Sequence, residues 1–166
     1  MSKNLDESGL KSIVGRYDLF FIDIWGVVHN GIKLYENAVK VLDELSNNEK
    51  KFILLTNAPR PNLTVINTLK KMGLNNFSDT VFTSGEASKR YLLENFNNKK
   101  FFHLGPPRDF DLFKTFEDNK VLNIDDSDYL LCSGLFEEHE DDLGYYKNLL
   151  SKHITKKMIC TNPDLI

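Results

Sequence analysis

Six short apolar runs punctuate this chain, and helical patterns fill most of the gaps between them. The runs are Leu19–Asp23, Phe52–Thr56, Thr80–Ser84, Lys100–Leu104, Tyr129–Ser133 and Met158–Thr161. Most are continuous and do not alternate, as expected of strands covered on both faces. Between them, Ala38, Val41, Leu42 and Leu45 of Glu36–Asn48 follow the spacing of one buried helix face. Val65, Ile66, Leu69 and Met72 do the same in Pro61–Met72, with Pro61 suited to a first turn and Gly73 to a C-cap. Gly85–Phe96 and Asp141–His153 are weaker helical patterns, and Asp109–Glu117 is a short one with Phe110, Phe113 and Phe116 at spacing three. Repeated strand–helix–strand units predict an α/β chain with a Rossmann-like parallel sheet, joined by right-handed crossovers. Ligands of such sheets bind outside the carboxyl ends of the strands.

A length of 166 residues fits one domain, or one domain and part of a second. The breaks expected from composition are Gly105–Arg108, the polar stretch Glu117–Asp128, and the Asn97-Asn98-Lys99-Lys100 shift near residue 98. Net charge is −3 and no basic cluster exceeds two residues, which argues against nucleic acid as a partner. The apolar runs are far too short for a membrane span, and the charged N-terminus does not suit a signal peptide. Cys132 and Cys160 lie in apolar runs and read as buried thiols of a reducing compartment, so the expected location is the cytoplasm.

Three predicted strands end in chemistry. The first ends in Asp23 before a glycine turn at Gly26, the second in Thr56-Asn57, and the third in Ser84-Gly85. In a parallel sheet these ends lie side by side. A carboxylate beside a hydroxyl, an amide and backbone N–H groups suits a tetrahedral oxyanion such as phosphate. Asp23 could attack phosphorus while Thr56 and Asn57 hold the non-bridging oxygens. Bringing a carboxylate to a phosphate dianion calls for a divalent cation, and Mg2+ takes such oxygen ligands. Each motif alone has a plainer reading, since an aspartate closing a strand often only forms a turn or a cap.

The runs YDLFFIDIWGVVHNG, FILLTNAPR, VFTSGEA and MICTNPD together resemble the haloacid dehalogenase (HAD) superfamily of phosphohydrolases, in its class IIA branch. The resemblance implies an incomplete HAD core over 1–98 and the first part of a large α/β cap over 99–166. It implies Asp23 as nucleophile and magnesium ligand, passing through an aspartyl-phosphate. Thr56 matches the phosphate-binding threonine, followed by Asn57. Gly26 opens the loop that leads toward the cap. Thr161-Asn162-Pro163-Asp164 matches a cap motif on the substrate side.

Two departures accompany it. Trp25 stands where the family has its general acid–base aspartate. Its backbone carbonyl could still bind Mg2+, but an indole carries no proton to shuttle near neutral pH. Trp25 could equally serve as packing. The family's later lysine and acidic motif fall beyond Ile166, and the chain holds no Gly-Asp pair. The expectation is a phosphomonoester phosphatase type that is weak or inactive as this chain alone, acting on a small phosphorylated metabolite. The alternative is a non-catalytic interaction module or the product of an interrupted gene, its open sheet edge pairing with a complementary fragment or a second copy. Asp125, Asp126 and Asp128 precede a strand and read as a solvated loop; Glu137–Asp142 reads as an acidic helix entrance. His29 and His103 are isolated histidines, His29 being assigned to its loop.

Overall fold

A computed structural model describes residues 9–162, so Pro163 and Asp164 of the last motif lie outside the described residues. The strands are β1 (Leu19–Asp23), β2 (Lys51–Thr56), β3 (Val81–Thr83), β4 (Phe101–Leu104), β5 (Lys120–Val121), β6 (Tyr129–Cys132) and β7 (Lys157–Cys160). The helices are α1 (Glu36–Asn47), α2 (Asn62–Lys71), α3 (Ser84–Asn95) and α4 (Leu143–Ser151). One sheet has the order β1-β2-β3 and a second the order β5-β4-β6-β7. β1 and β2 run parallel, as do all neighbours in the second sheet. The chain is thus α/β with parallel sheets.

Two compact units emerge from the packing. The first comprises Met1–Leu55 and Leu69–Val81; the second comprises Thr56–Thr68 and Phe82–Ile166. In the first unit, Ile24, Val28, Leu42, Leu45, Leu54 and Leu74 are buried. α1 contributes Leu42 and Leu45, one turn apart on the inward face. Gly73 closes α2 with φ +103, a left-handed position that glycine occupies without strain. β1 departs from the expected two-sided burial. Its residues alternate between exposed and half-buried, so one face of the strand is open to solvent.

The central strands β4 and β6 of the second sheet are covered on both faces, which explains their unbroken apolar runs. Phe101, Tyr129 and Leu131 pack with Leu92 of α3 and with Leu112 and Phe113. Leu104 and Leu130 pack on the other face with Ile124, flanked by Leu149 and Leu150 of α4. The segment expected as one helix over Asp109–Glu117 forms two 3-10 turns, Pro107–Leu112 and Lys114–Asn119. α4 begins at the acidic stretch as expected, with Asp142 Oδ1 accepting from the Tyr145 N–H at 2.8 Å. The cysteine expectation is corrected in part. Cys132 is half-buried but Cys160 is exposed, since β7 is the edge of its sheet.

Candidate active site

β1 carries Asp23 out to an exposed position at its carboxyl end. Register sets Asp23 against Leu55, the residue immediately before Thr56. The Ile24 N–H donates to Asp23 Oδ1 at 2.7 Å, which fixes the carboxylate. The chain then folds back tightly. Gly26 adopts φ +74, and its N–H donates to the His29 carbonyl at 2.8 Å. The Val28 N–H donates to the Ile24 carbonyl, also at 2.8 Å.

Trp25 is 64% exposed, and its ring meets His29 edge-on with 5.4 Å between centroids. Gly31, at φ +88, lies under the same ring; a β-carbon there would come within 2.6 Å of the indole. Only glycine fits both demands. The Gly31 N–H donates to His29 Nδ1 at 2.8 Å, so the neutral ring carries its proton on Nε2. Burial lowers the His29 pKa, while the Asp23 carboxylate pulls it the other way. Trp25 therefore lies against its own loop, with most of its surface exposed.

In the second unit, Thr56 is buried and its Oγ1 accepts from the Ala58 N–H at 3.3 Å. Asn57 is exposed. The loop after them is strapped from below by the start of α3. Ser84 Oγ donates to the carbonyls of Asn57 and Ala58 at 2.6 and 3.0 Å. The Thr83 hydroxyl donates to the Arg60 carbonyl and accepts from the Glu86 N–H. Asn62 Oδ1 accepts from the Thr83 N–H at 2.9 Å. The sequence reading set Ser84-Gly85 beside the oxyanion; the hydroxyl of Ser84 is instead committed to the loop carbonyls.

Arg60 was missed in the sequence. It pairs with Asp111 at 3.1 Å and donates to the Arg108 carbonyl at 3.2 Å, while Thr64 Oγ1 donates to Asp111 at 2.7 Å. No local signal could have found it, because its partner lies 51 residues away. A second omission is the buried group at the carboxyl ends of β4 and β6. His103 Nε2 lies 2.9 Å from Ser133 Oγ, and Asp109 also hydrogen-bonds Ser133. Burial, with Lys120 adding to it, holds the His103 pKa down to about 4. Burial raises the Asp109 pKa, with the Ser133 hydrogen bond opposing.

Among the described residues, no group of three or more His, Cys, Asp or Glu side chains could hold a metal. Mg2+ does not need one. It keeps several waters and is often held by one or two carboxylates and substrate phosphate. The exposed Asp23 carboxylate, with one oxygen uncommitted to the backbone, fits that kind of site.

Residues 20–117 match the family model described as haloacid dehalogenase-like hydrolase, which is more than half of the chain. The chain belongs to the haloacid dehalogenase-like hydrolases. Solved structures of this family agree. The chain is similar to a haloacid dehalogenase-like hydrolase from Brucella suis, with 29% identity and a TM-score of 0.80, over 93% of this chain and 57% of that one. A 4-nitrophenylphosphatase from Thermotoga maritima matches at 25% identity and TM-score 0.67, over 92% and 57%. A glycerol phosphate phosphatase from Mycobacterium tuberculosis, solved with magnesium, shares the fold at 20% identity and TM-score 0.65, over 92% and 46%. The chain spans little more than half the length of the first two relatives and less than half of the third. No curated protein matches it. Among the described residues, no helix is long and apolar enough to cross a membrane.

Proposed function

We propose that this chain carries the nucleophile and phosphate loop of a magnesium-dependent phosphomonoester phosphatase that acts on a small phosphorylated metabolite in the cytoplasm. The observation that carries the reading is the exposed carboxylate of Asp23, in register with the residue before Thr56. The free oxygen of Asp23 attacks phosphorus: an O–P bond forms to the aspartate, and the ester O–P bond breaks. Water then returns the phosphate and restores the carboxylate. Thr56 and Asn57 hold the non-bridging oxygens, while the Gly26 N–H, expected at the phosphate, is committed to the His29 carbonyl. Asp23 and the Trp25 carbonyl would hold Mg2+, which supplies charge neutralisation between carboxylate and phosphate. The free thiols of the chain favour a reducing location.

Trp25 supplies no proton to the departing alcohol. The loss of a positioned acid–base group lowers the rate by roughly 10²–10⁴-fold, so turnover by this chain is slow. The test is hydrolysis of p-nitrophenyl phosphate with magnesium. Turnover is expected to be slow or absent, and any that is seen should be removed by EDTA and abolished by Asp23→Asn. Robust turnover, or turnover indifferent to Asp23→Asn, overturns the reading.

One observation favours a second reading, an interaction module. β1 is a sheet edge on which Phe21 is 67% exposed. Such an edge seeks another strand, from a complementary chain or from a second copy. Size-exclusion chromatography with light scattering tests this: the protein should self-associate and Phe21→Lys should release monomers. A wild-type monomer at all concentrations counts against self-association.

A further inference from the structure

β6 and β7 end alike. Each closes in a cysteine, and the two cysteines are register partners: Cys132 pairs with Cys160. Each thiol donates to the carbonyl two residues ahead, Cys132 to Gly134 at 3.6 Å and Cys160 to Asn162 at 3.3 Å. The repeated contact holds both sulfurs in the same orientation. Register partners on neighbouring parallel strands also point to the same face of the sheet. Cys160 is near enough to Cys132 to help raise its pKa.

The backbone holds the strands together just beyond this point. The Thr161 N–H and Thr161 Oγ1 both donate to the Cys132 carbonyl, at 2.9 and 3.2 Å. Neighbouring strands lie about 4.8 Å apart. A disulfide spans Cα separations of roughly 4.4–6.8 Å and Cβ separations of roughly 3.5–4.5 Å, so strands at this spacing admit the bond once the two β-carbons draw slightly together. Access is unequal: Cys160 is exposed and Cys132 is half-buried.

We propose that Cys132 and Cys160 form a reversible dithiol–disulfide pair that is oxidised by hydrogen peroxide. Cys160 meets the oxidant first. Its sulfur takes one peroxide oxygen to become a sulfenic acid, and one water leaves. The Cys132 sulfur then attacks the Cys160 sulfur. The S–S bond forms, the S–O bond breaks, and the hydroxyl departs with the Cys132 thiol proton as a second water. The two thiols lose two electrons and the peroxide gains them. Burial, with Cys160 beside it, pushes the Cys132 thiol up to about 11, so Cys132 is a poor first target but a well-placed second one. Closure ties the carboxyl ends of β6 and β7 covalently, and a dithiol reductant reopens them.

The test treats the reduced protein with a small excess of hydrogen peroxide. The expected result is a monomer lighter by two hydrogens, with both thiols lost to a thiol reagent under denaturing conditions. A non-reduced digest should contain the Cys132 peptide joined to the Cys160 peptide, and dithiothreitol should restore both thiols. Yield should not depend on protein concentration. In Cys132→Ser the remaining thiol should gain oxygen atoms instead, and in Cys160→Ser the Cys132 thiol should survive. A wild-type monomer that gains oxygen while Cys132 stays free, a disulfide-linked dimer, or two unreacted thiols overturns the proposal.

Discussion

Gly85 lies against the backbone of Arg60 with no room for a side chain: a β-carbon there would collide with the Arg60 amide nitrogen and carbonyl. The Gly85 N–H also donates to the Ala58 carbonyl at 3.1 Å. Backbone cannot yield as a flexible side chain does. Gly85→Ala should therefore destabilise the protein by about 1–3 kcal/mol, the cost of an overpacked buried site. Urea denaturation measures it. A change below about 0.5 kcal/mol, the range of neutral surface substitutions, would show that the loop relaxes freely.

Trp25 makes a kinetic prediction on the phosphatase reading. Without an acid at this position, the rate depends on how well the alcohol leaves unprotonated. Aryl phosphates should be hydrolysed much faster than alkyl phosphates. Trp25→Asp should raise alkyl phosphate turnover by about 10²-fold or more and aryl turnover far less. The kcat values with glycerol phosphate and with p-nitrophenyl phosphate, in both proteins, decide the matter. An unchanged ratio would mean that the proton arrives by another route.

His103 predicts a pH dependence of stability. Its pKa falls from 6.5 to about 4 on folding. The unfolded chain then binds the extra proton between those values. The stabilisation is complete above the unfolded pKa and is lost as pH falls toward 4. The loss approaches about 3 kcal/mol in the limit. Urea midpoints from about pH 7.5 to about pH 4.5 should fall more steeply for wild type than for His103→Gln. Parallel curves would contradict the assignment.

Arg60 and Asp111 predict a modest coupling. Arg60 is partly exposed, so solvent screens the pair even though Asp111 is better covered. A double-mutant cycle with Arg60→Ala and Asp111→Ala should give about 0.5–1 kcal/mol. The single Asp111→Ala should cost more than the coupling, since it also strands the Thr64 hydroxyl that donates to it.

Much of the architecture could be read in the residues, because buried parallel strands are written as unbroken apolar runs. All six predicted strands are present, and none of their ends differs by more than one residue. β5 escaped because Lys120–Val121 is too short to carry a pattern. Phe110, Phe113 and Phe116 recur every third residue, which is the period of the 3-10 turns that formed and not of an α-helix. Cys160 looked buried because an apolar run does not reveal whether its strand lies at an edge. The exposed end at Asp23 and the turn at Gly26 were legible because a strand end and a glycine turn are local. The fastening of the Thr56 loop was not, since Ser84 and Thr83 reach back more than twenty residues to Asn57, Ala58 and Arg60.

That fastening has an evolutionary corollary. The hydroxyl of Thr83 serves two masters, capping α3 through the Glu86 N–H and gripping the Arg60 carbonyl. Because these hydroxyls end on main-chain carbonyls, side chains at 57, 58 and 60 can be exchanged without breaking the grip, whereas positions 83 and 84 must keep a hydroxyl to maintain it.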